Sequence, residues 1–166
     1  MRPVVSHLTV MVATSSGLDI MSPTERQRWM AVLARAKAED LVARIEAAGG
    51  LSPHTRLRGP EVGLVMVRGR AGGTGAPFNL GEMTVTRCTV RDADGRIGHA
   101  YVAGRDARRA ELAAALDAAL QDDARRPALL DAVVAPLEAA QHDARATVAR
   151  KAAATKVDFF AMQTTR

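Results

Sequence analysis

Helical periodicity governs both ends of this chain and breaks off in the middle. Trp29, Met30, Leu33 and Ala36 recur at helical spacing, and Leu41, Val42 and Ile45 follow on one side of a second helical turn set. From Leu51 to Ala103 that period is lost. Gly63 to Arg70 reads Gly-Leu-Val-Met-Val-Arg-Gly-Arg, and Met83 to Arg91 alternates threonine with Val85 and Val90, both β signatures. Helical spacing returns with Leu112, Leu116, Ala119 and Leu120 at i, i+4, i+7 and i+8, which line one apolar stripe. Helices, then strands joined by short turns, then helices predict an α+β fold: N-terminal helices, a central antiparallel β-meander and C-terminal helices.

Local signals place the boundaries. Ser22-Pro23-Thr24-Glu25 reads as a helix start, with a hydroxyl cap at Ser22, proline at the first position and then an acid. Gly49-Gly50 ends the second helix in the left-handed region open to glycine. Asp92-Ala-Asp-Gly95 is a tight turn, so Met83–Arg91 and Ile97–Ala103 form a hairpin, and Leu51–Arg58 is expected as a further strand beside Leu64–Val67. Asp106 caps the next helix, Pro127 restarts the chain, and Glu138–Ala154 is a polar, alanine-rich helix with a thin apolar face. The 166 residues suit one domain, expected over residues 21–166, with residues 1–20 as a disordered extension.

Several chemistries are excluded or weakened. One cysteine, Cys88, allows no disulfide within the chain and no cysteine zinc cluster, which suits a reducing cytoplasm. Cys88 lies mid-strand and is expected to be buried and inert. His7, His54, His99 and His142 are scattered without metal-ligand spacing, and no nucleophile elbow supports serine catalysis, so the sequence offers no catalytic residue and no metal site. No stretch approaches the roughly 20 apolar residues of a membrane span. The net charge of +5 is local: residues 56–109 hold ten arginines against five acids, and the flanks cancel. A basic surface attracts phosphates, nucleic acid or an acidic protein, although an arginine-rich composition alone also produces one. Nucleic-acid binding is disfavoured, because only Phe78 and Tyr101 in this region could stack on bases.

Two features stand out. Arg70-Ala-Gly-Gly-Thr-Gly-Ala-Pro-Phe-Asn-Leu-Gly81 lacks the ending of a phosphate-binding loop, yet Gly72, Gly73 and Gly75 admit close backbone approach. With Arg68, Arg70 and Arg87 nearby it is either a phosphate contact or a strand-connecting loop that packs on another chain. Arg105, ahead of the Asp106 cap, is a further anion candidate. The chain has five aromatics, and Phe78, Phe159 and Phe160 are candidates for a partner interface.

Arg26-Gln-Arg-Trp-Met-Ala-Val-Leu-Ala34, Glu61-Val-Gly-Leu-Val, Gly72-Gly-Thr-Gly75, Gly81-Glu-Met-Thr-Val-Thr-Arg87, Gly104-Arg-Asp106 and Lys156-Val-Asp-Phe-Phe160 occur in the order and spacing of one family. Over Pro23–Met162 the chain resembles the PhnG family, the small subunit of the bacterial carbon–phosphorus lyase system. The resemblance implies assembly with PhnH, PhnI and PhnJ subunits and a PhnL-type ATPase. It also implies support for displacement of adenine from MgATP by a phosphonate, giving a ribose 1-phosphonate 5-triphosphate, in the use of phosphonates as a phosphorus source. On that reading no cofactor belongs to this chain, and its role is structural. The alternatives are a direct contribution of the loop arginines to a shared phosphate cleft, or a basic regulatory module outside this pathway.

Overall fold

The computed structural model describes residues 24–70 and 75–156. Helix α1 spans Glu25–Arg35 and α2 spans Ala38–Ala47. Three strands follow, β1 His54–Gly69, β2 Phe78–Asp92 and β3 Ile97–Ala103, and then α3 Ala107–Ala119, a short α4 Arg126–Leu129, a π-helical stretch Leu130–Val134 and α5 Ala135–Ala154. The strands form one antiparallel sheet in the order β1-β2-β3. The α+β architecture is therefore the one the periodicity predicts.

The cap of α1 is Thr24, not Ser22. The Thr24 hydroxyl accepts from the Gln27 backbone N–H while the Gln27 side chain accepts from the Thr24 backbone, a capping box that satisfies two donors at once. Ser22 and Pro23 lie outside the described residues, as do residues 1–20. Gly49 and Gly50 do take positive φ, 84° and 85°, and Asp106 does cap α3, accepting from the Arg109 backbone N–H at 2.9 Å.

The larger correction concerns β1. Leu51–Arg58 does not run beside Leu64–Val67. Leu51–Pro53 precede the strand, and His54–Arg58 and Leu64–Val67 belong to one 16-residue strand, which pairs with β2 from His54↔Asp92 to Gly69↔Phe78. Irregular pairing around Arg56–Glu61, with Gly59 at φ 70°, disguises that continuity in the sequence.

Helix α3 is the centre of the molecule. The stripe read from Leu112, Leu116, Ala119 and Leu120 is only part of its apolar surface, since Ala110 and every residue from Ala113 to Leu120 are buried. One side lies on β2 and β3, over Cys88, Val90, Ala100 and Val102, and the other meets α1 and α2. Its alanines let the backbone ride directly on β3: a Cβ at Gly98 would come within 2.0 Å of the Ala114 carbonyl oxygen. Strand β3 accordingly alternates strictly between buried and exposed.

Asp117 sits in the buried stretch of this helix with no exposure. Its carboxylate accepts from Arg26 Nε (3.1 Å) and Nη2 (2.8 Å), from Trp29 Nε1 (2.9 Å) and from the His99 backbone N–H (2.9 Å). A buried carboxylate is tolerated only when so fully paired, and here the pairing ties α1, α3 and β3 together. Arg126 completes this end: it donates to the Leu120 and Gln121 carbonyls past α3 and lies 5.8 Å from the Trp29 ring.

Candidate protein-docking site

The sheet is three strands wide only where β3 reaches. Pairing of β2 with β3 begins at Val85↔Ala103, whereas pairing of β1 with β2 continues to Gly69↔Phe78. Six residues of β1, Leu64–Gly69, and the matching part of β2 thus extend as a two-stranded arm, roughly 20 Å long at the usual rise per residue. An isolated two-stranded ribbon is marginal in water. This one is also apolar on both faces. Val62, Leu64 and Met66 share one face and are 55%, 62% and 52% exposed. On the opposite face Leu80 lies against Gly69, where a Cβ would come within 2.4 Å of Leu80 Cδ1. Leu80 remains 60% exposed and Met83 42% exposed.

The arm contains part of the predicted site. Arg68 and Arg70 are exposed near its end, and among the described residues neither makes an ion pair. Gly75 is exposed, and Phe78, which opens β2, is 47% exposed. Gly72, Gly73, Phe159 and Phe160 lie outside the described residues. Arg87 is not brought to the arm's end. It lies opposite Glu61, seven residues back along β1 and so roughly 23 Å from Arg68. Its Nη2 lies 2.9 Å from Glu61 Oε2, and Arg58 reaches the same carboxylate. These hydrogen bonds, Arg87 first and then Arg58, hold the Glu61 carboxyl below its ordinary range and raise Arg87 above its own. Arg105 is exposed between β3 and α3.

The polar clusters elsewhere are structural in form. Glu111 of α3 accepts from Arg56 Nε (2.8 Å) and Nη2 (2.7 Å), with His54 Nε2 at 3.2 Å, and so ties β1 to α3. Arg56, then His54, draws the Glu111 carboxyl below its ordinary range against the effect of burial. Burial pushes the Cys88 thiol up, which keeps it protonated and inert as the sequence suggests. His99 is exposed, with Nδ1 3.1 Å from Thr89 Oγ1. Among the described residues no three His, Cys, Asp or Glu side chains converge to hold a metal ion, and no helix is long and apolar enough to cross a membrane.

What sequence reasoning missed is the apolar surface of the arm itself. The signal was present: Val62-Gly-Leu-Val-Met-Val67 has no polar position to alternate with, which is the pattern of a strand covered on both faces. Among the described residues nothing covers either face of the arm. The profile of the family described as phosphonate metabolism protein PhnG matches residues 24–164.

The chain belongs to the PhnG family.

It is 46% identical over 147 residues to the alpha-D-ribose 1-methylphosphonate 5-triphosphate synthase subunit PhnG of Rhizobium meliloti (strain 1021), an alignment covering 87% of this chain and 92% of that protein. The match takes in the arm, the Glu61–Arg87 pair and the Asp117 node.

Proposed function

We propose that this chain is the PhnG-type assembly subunit of a ribose 1-methylphosphonate 5-triphosphate synthase, acting in the cytoplasm in phosphonate catabolism. The observation that carries this is the arm: six residues of β1 and the facing part of β2 hold an apolar ribbon away from the core that the described residues build. Its partners are the PhnI, PhnH and PhnJ subunits, with a PhnL-type ATPase, and the complex takes MgATP as substrate. The family name carried by the relative in Rhizobium meliloti supports the pathway. The form of the clusters supports a structural role, since the paired carboxylates Glu61, Glu111 and Asp117 spend their lone pairs on arginines and backbone within the fold.

Co-expression with the other subunits tests the reading. The chain is expected to co-purify with them, and synthase turnover is expected to require it. A folded chain that fails to co-purify with folded partners would sink the proposal. A shared phosphate cleft is the second reading, favoured by Arg68 and Arg70, which are exposed and make no ion pair among the described residues. Alanine at both positions would then abolish turnover in an intact complex, whereas unchanged turnover leaves the assembly role alone.

A further inference from the structure

Strand β1 is an edge, pairing among the described residues with β2 alone, so one row of its backbone N–H and C=O groups has no neighbour in the sheet. Proteins protect such edges with charges, prolines and bulges, because an unprotected edge pairs with any available strand. The two halves of β1 differ in this respect. Arg56–Glu61 carries every device: Arg56, Arg58 and Glu61 supply charge, Pro60 has no N–H, and the register shifts twice. From Glu61 to Val67 the register is unbroken, and Val62–Val67 contains no charge and no proline. Flat, apolar and regular, this half has the properties of a template for strand addition.

We infer that β1 residues Val62–Val67 receive a strand from a partner subunit, an extended apolar segment with acidic residues beyond one end. The inference rests on the assembly reading and adds the mode of docking. Strand addition satisfies the free backbone row, and because side chains alternate across a strand, one added strand sets apolar side chains beside those of β1 on both faces of the arm. Charge selects the occupant. Arg68 and Arg70 stand just past the apolar stretch without an ion pair among the described residues, and residues 56–109 carry five more arginines than acids. A second copy would bring two such surpluses together, whereas an acidic strand end complements them.

The test uses the full chain in the co-expressed complex. Hydrogen exchange followed by mass spectrometry is expected to show the Val62–Val67 amides protected as fully as those of Arg87–Val90 inside the sheet. Leu64→Lys and Met66→Lys, which place edge-protecting charge on exposed side chains, are expected to reduce co-purification by about tenfold or more. Arg68→Glu with Arg70→Glu is expected to reduce it by about fivefold at low salt and less at high salt. Rapid exchange at Val62–Val67 in an intact complex, or full retention of the lysine variants, overturns the inference and leaves the assembly reading standing. Unchanged retention of the charge-reversed variant overturns the acidic occupant. A dimer of the isolated chain that Leu64→Lys dissolves assigns the edge to a second copy and also overturns it. Failure of the wild-type chain to co-purify removes the assembly reading itself, and this inference with it.

Discussion

The base of the sheet and its arm share strands β1 and β2 but live in different surroundings. At the base, α3 lies on Cys88, Val90, Ala100 and Val102 so closely that Gly98 has no room for a side chain. In the arm the same two strands present Leu64, Met66 and Leu80 to solvent. The base also satisfies its charges: Glu111 with Arg56, Asp117 with Arg26 and Glu61 with Arg87. The arm leaves Arg68 and Arg70 without an ion pair among the described residues. On the assembly reading, stability and docking belong to opposite ends of one ribbon, so substitutions at the two ends should fail in different assays.

The largest effect is expected at the base. Asp117→Ala strands the Trp29 indole N–H and the His99 amide and leaves Arg26 without its carboxylate, a loss of about 3–5 kcal/mol in urea unfolding. A loss below about 1 kcal/mol would mean that the node does not hold α1 to the sheet. Next is Gly98→Ala, whose Cβ would meet the Ala114 carbonyl oxygen at 2.0 Å and the Ala118 nitrogen at 2.5 Å. Moving α3 off the sheet to admit it is expected to cost about 2–3 kcal/mol and to lower the melting temperature, and an unshifted melting curve would contradict the close approach.

A smaller effect is expected from acid. The folded carboxyl of Glu111 titrates below its unfolded value because Arg56 and His54 favour the charged form. The contribution is therefore complete above the unfolded carboxyl's titration range and lost as pH falls through the lower folded value. Glu111→Gln should flatten that acid limb of the stability curve, and identical limbs in the two proteins would refute the linkage. The smallest effect on folding belongs to the arm. Leu64→Lys touches no core and should change stability by no more than about 0.5 kcal/mol, against its expected loss of assembly. Global destabilisation by Leu64→Lys would erase the contrast between the two ends.

Much of the fold was legible because it is local. Helical spacing around Trp29 and Leu116, the Gly49-Gly50 stop, the Asp92–Gly95 turn and the Asp106 cap each depend on a few neighbouring residues, and each appears in the structure. Ser22 looked as good a cap as Thr24, and only the reciprocal bonds with Gln27 separate the two. Asp117 was unreadable, because its three donor residues come from Arg26, Trp29 and His99, far away in sequence. The candidate site was half legible. Arg68, Arg70 and Phe78 do lie on the arm, whereas Arg87, close to the loop on paper, is held by Glu61 at the arm's root.

By itself the sequence determined the element types, their order and the family, since periodicity, caps and motif spacing are short-range properties. Tertiary structure alone decided that Leu51–Arg58 does not pair with Leu64–Val67, because β2 is long enough to pair with both segments in succession as one strand. It also decided which part of that strand is bare. The 13 residues of α3 span about 20 Å as helix, close to the seven residues of β3 but far short of the roughly 53 Å that the 16 residues of β1 extend. One helix cannot cover the whole ribbon, and among the described residues the part beyond its end is bare.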